Sequence, residues 1–334
     1  MTSSASILAL ALAMTATVST TPRPAGDGLL LVANKGDRTL GIIDPTASQQ
    51  VAAIPENGVT GHEVIASPDG KTAYVPIYGD SGVGKPGSDG RHLIAVDIAS
   101  RRITGTVNFG HGVRPHCPMF GPKDGLLYVT TELDNSVTVI DPKTLKIVGM
   151  VPTGQAESHM LAITRDGTRG YTANVGPGTV SVLDLAAHKT IAVIPIANHT
   201  QRISLSVDDS MVFTSDTEQP RLAVINTATN KVDRWVTLPA PGYGSAPTPD
   251  GKWLVIAVSS ANKVAVIDLK TLAVAKTIDV PAAPQEVLVR PDGQIAYVSC
   301  DQTGKIAAIR TSDWSVEKLN DAGKAADGLA WAGR

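Results

Sequence analysis

Residues 153–196 read TGQAESHMLAITRDGTRGYTANVGPGTVSVLDLAAHKTIAVIPI. Four short apolar runs, rich in Val, Ile and Thr, are separated by Asp-Gly, Gly-Pro-Gly and His-Lys breaks. Such runs are too short for helices, and Gly, Pro and Asp are typical of the turns between strands. The stretch therefore predicts one four-stranded antiparallel sheet.

The same pattern recurs along the rest of the chain. The position of His159, at the start of the first strand, recurs at spacings of 54, 43, 42, 42, 42 and 42 residues. Units of about 42 residues with four strands each are typical of β-propeller blades. The residues at the recurring position are His62, His116, His159, Gln201, Tyr243, Gln285 and Asp327.

The two ends of the chain together complete one more unit. Three strands, LLLVAN, TLGIIDP and QVAAIP, follow from Leu29 without a first strand, and GLAWAG at 328–333 supplies a first strand alone. Joining them closes the ring and leaves no free sheet edge. Residues 27–334 are therefore predicted to form an all-β, seven-bladed β-propeller of four-stranded antiparallel blades, with the N- and C-terminal strands sharing one blade.

Composition and the N-terminal segment limit the function classes. A net charge of −2 offers no basic surface for nucleic acid, and two cysteines do not predict a disulfide framework. The apolar stretch at 7–14 is too short to cross a bilayer. Residues 1–26 fit a cleaved export signal or, alternatively, a disordered tail, so we expect a periplasmic or secreted monomer without a membrane span.

Two stretches carry a resemblance to a known family. They are LYVTTELDNSVTVIDPKTLKIVGMVPTG at 127–154 and AYVSCDQTGKIAAIRT at 296–311. In them the chain resembles the YVTN-repeat propellers, which are found among bacterial exported and archaeal surface-layer proteins. The resemblance implies the propeller fold. It leaves the chemistry open, because such propellers include lactonases, lyases and binding scaffolds.

The recurring first-strand position predicts a functional site in the central channel. A typical family unit has a small Gly directly after this position, whereas polar or bulky side chains occupy most of these places here. Three adjacent blades carry His62, His116 and His159, and the loops before them are one or two residues longer than the others. Imidazoles converging from rigid strands can hold a divalent metal ion with an open coordination position. The alternative for each histidine is an ordinary hydrogen-bonded channel residue.

Other polar residues at or beside the channel position are candidate catalytic groups. Glu63 and Glu286 are candidates for metal ligand, partner of a ligand or general base. Arg202 is a candidate for binding a substrate carboxylate, Tyr243 for exchanging a proton and Asp327 for orienting a histidine. The alternative for each is a solvated group in a water-filled channel.

An insertion of about ten residues, GDSGVGKPGSDGR at 79–91, lies between the second and third strands of the first full blade. It is predicted to lie at the channel mouth as a lid, or alternatively to be a surface loop. Its G-x-x-x-x-G-K pattern continues with Pro86 where a phosphate-binding loop has Ser or Thr, so no nucleotide cofactor is expected.

These observations predict an exported propeller enzyme for a small polar or anionic substrate. Its chemistry would be of the lactonase, isomerase or lyase type, at a His-lined channel mouth with or without a divalent metal ion. The alternative is a non-catalytic binding or scaffold propeller of the YVTN type.

Overall fold

The computed structural model describes residues 27–80 and 82–333. The export signal predicted for residues 1–26 lies outside the described residues. Within the described residues, regular structure consists of 28 strands and three short 3-10 turns. In chain order the first fifteen strands are β1 Gly28–Asn34, β2 Thr39–Asp44, β3 Gln49–Pro55, β4 Ile65–Ala66, β5 Thr72–Gly79, β6 Asp89–Asp97, β7 Arg102–Asn108, β8 Pro115–Phe120, β9 Leu127–Thr131, β10 Ser136–Asp141, β11 Lys146–Pro152, β12 Ser158–Ile163, β13 Arg169–Asn174, β14 Thr179–Asp184 and β15 Lys189–Pro195.

The second half of the chain continues with the same unit. Its strands are β16 Thr200–Leu205, β17 Met211–Asp216, β18 Arg221–Asn226, β19 Lys231–Thr237, β20 Ser245–Pro247, β21 Trp253–Val258, β22 Lys263–Asp268, β23 Ala273–Asp279, β24 Pro284–Val289, β25 Ile295–Cys300, β26 Lys305–Arg310, β27 Ser315–Asp321 and β28 Ala326–Gly333. The 3-10 turns, at Glu132–Asp134, Ser259–Ala261 and Asp301–Thr303, each follow a second strand.

The strands form seven separate four-stranded antiparallel sheets. Blades 1 to 6 are β4–β7, β8–β11, β12–β15, β16–β19, β20–β23 and β24–β27, and blade 7 has the order β28-β1-β2-β3. In blade 7, Leu30 pairs with Trp331 and Val32 with Leu329. The all-β, seven-bladed fold and its closure by strands from both ends of the chain are therefore confirmed.

The first strands of the blades face the centre of the ring. β12 contacts β8 on one side and β16 on the other, and β28 contacts β24 and β4 in the same way. The outer strands have an exposed face, as the alternating pattern of Lys189–Pro195 shows, whereas Thr179–Asp184 in the same blade is largely buried. Packing of apolar blade faces, such as that of Val180 and Val182, buries the core, and each such side chain contributes about 1.5–3 kcal/mol.

A bulge near the start of several first strands decides where the channel side chains point. The pairing register shifts between Pro115 and Pro118, between Thr200 and Ile203, and between Pro284 and Val287. A bulge places two successive residues opposite one partner residue and re-aims their side chains. Both the recurring channel residue and the residue after it can therefore reach the channel.

The insertion between the second and third strands is shorter as a loop than the sequence predicts. β5 extends to Gly79 and β6 begins at Asp89, so that the strands absorb part of the 79–91 segment. Arg114 binds this connection: its Nη2 donates to the Lys85 carbonyl at 2.7 Å and its Nε to Asp89 Oδ1 at 2.6 Å. The connection thus lies beside the loop that leads into β8 and His116.

Two further sequence predictions concern cysteines and membrane spans. Cys117 and Cys300 are both buried and free, so they form no disulfide. Within residues 27–80 and 82–333, no helix is long and apolar enough to cross a membrane.

Candidate active site in the central channel

The recurring first-strand position lines the channel with seven side chains of unequal exposure. His116, His159 and Asp327 are buried, while the other four positions are half-buried. The partly exposed members of the row are therefore His62, Gln201, Tyr243 and Gln285.

Arg202 lies at the centre of a cluster that five blades build together. Its Nη1 donates to Glu63 Oε1 at 2.5 Å and to Glu286 Oε2 at 2.6 Å, and its Nη2 donates to Asp327 Oδ1 at 3.0 Å. The guanidinium carbon also lies 4.8 Å from the centre of the Tyr243 ring. All five of these residues were predicted from the sequence as candidates, and the structure brings them into one contact group.

Lys35 extends the cluster towards solvent. Its Nζ lies 3.0 Å from Asp327 Oδ2 and 3.2 Å from Asp301 Oδ2, and about a quarter of its side chain is exposed. Four carboxylates thus share two cations in this part of the channel. Because one guanidinium cannot neutralise three buried carboxylates, protons must balance part of the charge.

The pKa directions follow this charge balance. Burial raises the pKa of Glu63 to about 8, against the opposing effect of Arg202, and burial also raises the pKa of Glu286. Burial acts in the same direction on Asp327, but Lys35 and Arg202 outweigh it and hold its pKa below the ordinary value. Burial disfavours the charge of Arg202, yet the surrounding carboxylates keep its pKa well above the usual range. Near neutral pH the site therefore combines an ionised Asp327 with a Glu63 that retains a proton.

The three predicted channel histidines lie next to one another. The ring centres of His116 and His159 are 3.5 Å apart, and those of His62 and His116 are 5.7 Å apart. The Tyr78 ring contacts all three, at 4.6 Å from His62, 5.2 Å from His116 and 5.9 Å from His159. Burial lowers the pKa of His62 to about 3 and lowers the pKa values of the other two, so neutral imidazoles are expected at physiological pH.

The contacts of the ring nitrogens bear on the metal prediction. His159 Nδ1 lies 3.3 Å from Glu132 Oε2, and its Nε2 lies 3.3 Å from the Gln201 side-chain nitrogen. Both nitrogens of this ring therefore already have protein partners, while His116 Nδ1 is buried and has no hydrogen-bond partner within the part of the chain that the structure describes. Among the described residues, no group of three or more His, Cys, Asp or Glu side chains is arranged to hold a metal ion.

The position of Arg202 bears on its predicted role in binding a substrate carboxylate. Both terminal nitrogens already bind carboxylates of this chain, and only 3% of the side chain is exposed. A substrate carboxylate would have to displace one of them to reach the guanidinium. Asp327 binds Arg202 and Lys35, and its charge acts on His62 by raising the pKa of that imidazole against the effect of burial.

Sequence reasoning missed a second set of residues that obeys the same period, of which Tyr78, Glu132 and Lys35 contact residues of the channel row. In blades 1 to 6 the residue of this set lies 16 positions after the recurring first-strand residue, at the end of the second strand or directly after it. In blade 7 the second strand is β1, and the equivalent residue directly follows it. Because both rows lie at the same rim of the ring, the period of 42 residues could have revealed the second row. Its members are Tyr78, Glu132, Val175, Thr217, Ser259, Asp301 and Lys35.

Comparison with known proteins supports the fold and leaves the family open. No protein-family model matches the chain, and no curated protein matches it. Among solved structures, the chain is similar to the Kuenenia stuttgartiensis hydrazine synthase, with a TM-score of 0.71 and 18% identity over 90% of this chain and 99% of that one. It is also similar to the dihydro-heme d1 dehydrogenase NirN in complex with DHE, with a TM-score of 0.67 and 16% identity over 94% of this chain and 78% of that one.

Both of these proteins are named as enzymes, and at such low identity the similarity concerns the fold. Membership of the YVTN-repeat family therefore remains a prediction.

Proposed function

We propose that this chain is an exported propeller enzyme that transfers protons to and from a small polar substrate at the channel mouth. The observation that carries the proposal is the Arg202 cluster, where Glu63, Glu286 and Asp327 converge on one buried guanidinium. Titratable groups with perturbed pKa values gathered in one cleft are typical of catalytic sites. The similarity of the fold to propeller enzymes agrees with this class.

Glu286 is the group best placed to exchange a proton with the substrate. Its side chain is 16% exposed, against 7% for Glu63, so it is the more accessible of the two glutamates on Arg202. Its raised pKa favours retention of a proton closer to neutral pH, which suits a general acid or base. Glu63 and Arg202 behind it would hold it in place.

Half-buried neighbours supply the remaining roles. His62 is neutral and can donate or accept a hydrogen bond, and the Tyr243 hydroxyl is a second donor at the same level of the channel. Such a set can serve lactone hydrolysis, isomerisation or elimination, which all begin with abstraction of a proton from water or carbon. A neutral polar substrate suits the site better than an anionic one, because carboxylates already bind both Arg202 and Lys35.

The test uses solvent exchange, which detects proton transfer before the net reaction is known. Purified protein is incubated in D2O with a panel of neutral lactones, sugars and hydroxyketones, and deuterium incorporation and product formation are followed by NMR. Glu286→Gln is expected to lower the exchange rate about 100-fold or more. Glu218→Gln, at a carboxylate 45% exposed on the surface, is the matched control and should retain the wild-type rate.

The outcome separates the enzyme from a non-catalytic propeller. An unchanged rate in Glu286→Gln would remove Glu286 from the mechanism. A protein that binds panel compounds but neither exchanges nor converts them would instead favour the binding or scaffold alternative.

Metal content and export are tested separately, because both rest on the sequence. Stoichiometric metal in the purified protein that disappears in His116→Ala would support the metal site predicted at His62, His116 and His159. The intact mass of the protein from its native host tests whether residues 1–26 are removed in a periplasmic or secreted form.

A further inference from the structure

The three channel histidines have different hydrogen-bond surroundings. Only His159 contacts a carboxylate through its ring, at Glu132, which follows β9 in a 3-10 turn and is 1% exposed. Its second ring nitrogen faces the amide of Gln201. His116, stacked against it, has a buried Nδ1 without a partner.

The contacts of Glu132 select one tautomer of His159. Its Oε2 accepts a hydrogen bond from the Tyr78 hydroxyl at 2.7 Å and lies 3.3 Å from His159 Nδ1. The oxygen that accepts from Tyr78 is therefore an acceptor towards His159 as well, so Nδ1 carries the hydrogen. The Arg114 guanidinium lies 3.8 Å from the other carboxyl oxygen, Oε1.

The opposite side of the ring agrees with this tautomer. The Gln201 side-chain nitrogen is a donor and lies 3.3 Å from His159 Nε2, so Nε2 must supply the lone pair. The half-buried Gln201 thus covers this lone pair.

We propose that Glu132 is a positioning residue that holds His159 in the Nδ1–H tautomer and leaves Nε2 as its proton-accepting atom on the channel side. The tautomer follows from the contacts alone, whereas its use as a base rests on the proposed function. In that use, Nε2 accepts a substrate proton once the Gln201 amide moves aside, and Glu132 stabilises the imidazolium that forms. This arrangement of carboxylate and imidazole follows the logic of the Ser-His-Asp triad.

The inserted connection between β5 and β6 is linked to the Glu132 carboxylate through Arg114. Arg114 binds the backbone carbonyl of Lys85 and the side chain of Asp89 while it faces Glu132. Arg114 therefore links the insertion to the histidine that Glu132 orients, which gives the predicted lid segment a defined contact with the site.

The test reads the tautomer directly. Protein labelled with 15N at its seven histidines is measured by long-range 1H–15N correlation, and the His159→Gln variant identifies the His159 signals. Wild-type His159 is expected to show a protonated Nδ1 and an unprotonated Nε2. The opposite pattern, or an equal mixture, would overturn the proposal without any variant at Glu132.

Variants then assign the effect to Glu132. Glu132→Gln is expected to shift His159 towards the Nε2–H form, because an amide competes poorly for the Nδ1 hydrogen. Tyr78→Phe, which removes the other hydrogen bond to the same oxygen, is the matched control and should retain the wild-type tautomer. A wild-type tautomer in a folded Glu132→Gln protein would contradict the positioning role.

An activity measurement separates this proposal from the proposed function. If the exchange reaction is found, Glu132→Gln should lower kcat about 100-fold or more with little change in KM. If no exchange is found but the tautomer is as expected, the proposed function fails and the assignment of His159 stands.

Discussion

Removing Arg202 should destabilise the protein strongly, and the loss should depend on pH. In Arg202→Met the side chain keeps much of its apolar length, but Glu63, Glu286 and Asp327 lose their shared cation. Loss of one partner from a buried ion pair typically costs about 3–5 kcal/mol, because the remaining charge is left uncompensated. We expect a loss of this size in the free energy of unfolding at pH 8 and above.

The sign of the pH dependence follows from the folded-state pKa values. Burial already raises the pKa values of Glu63 and Glu286, so the wild type loses some stability as pH rises from about 4.5 towards the folded-state pKa of Glu63 at about 8. Arg202 opposes this rise, so its removal raises these pKa values further and extends the decline to higher pH. Near pH 4.5 the glutamates are protonated in the folded variant as well, and the loss should be smallest there.

Urea unfolding at pH 5 and pH 8, followed by tryptophan fluorescence, measures both effects. The matched control is Arg310→Met, because Arg310 also faces two carboxylates, Asp313 and Glu317, but is 44% exposed. Exposed pairs of this kind contribute about 1 kcal/mol or less. A loss in Arg202→Met that equals the control, or that is the same at both pH values, would refute the ion-pair reasoning.

Two further predictions concern buried groups outside the Arg202 cluster. Burial raises the pKa of Glu56 to about 7, against the opposing effect of hydrogen bonds from Gly61 and Thr60. The free energy of unfolding of the wild type, measured with urea, should therefore fall by about 3 kcal/mol between about pH 4.5 and 7, whereas that of Glu56→Gln should not. Identical pH profiles of the two proteins would contradict this. Burial also raises the pKa of Cys300 to about 12 and that of Cys117 further. Neither thiol should therefore react with Ellman's reagent until the protein unfolds. Rapid reaction of a thiol in the native protein would contradict this prediction.

The repeat made the architecture predictable. A spacing of 42 residues defined each blade, and the unmatched strands at the two ends of the chain predicted the shared blade that the pairing of Leu30 with Trp331 shows. The same spacing placed His62, His116 and His159 on one arc. Position along a repeat was therefore sufficient to predict that these three residues lie together in the channel.

Contacts across the ring could not be predicted from the repeat spacing. Arg202 and Glu63 are 139 residues apart and belong to blades 4 and 1, so their contact depends on the channel width and on side-chain length. The orientation of the imidazole nitrogens depends in turn on Glu132, which lies in the row that sequence reasoning missed. The local sequence pattern encodes neither the contact between Arg202 and Glu63 nor the orientation of the imidazole nitrogens.

The shared blade has a consequence for the order in which the site can be assembled during translation. Asp327, which binds both Arg202 and Lys35, lies on β28, after every other strand in the sequence. While the ribosome is still producing blade 6, Lys35 and Arg202 already exist but lack this carboxylate. Final assembly of the cluster must therefore await the emergence of β28, and nascent chains that stall earlier would hold an incomplete centre.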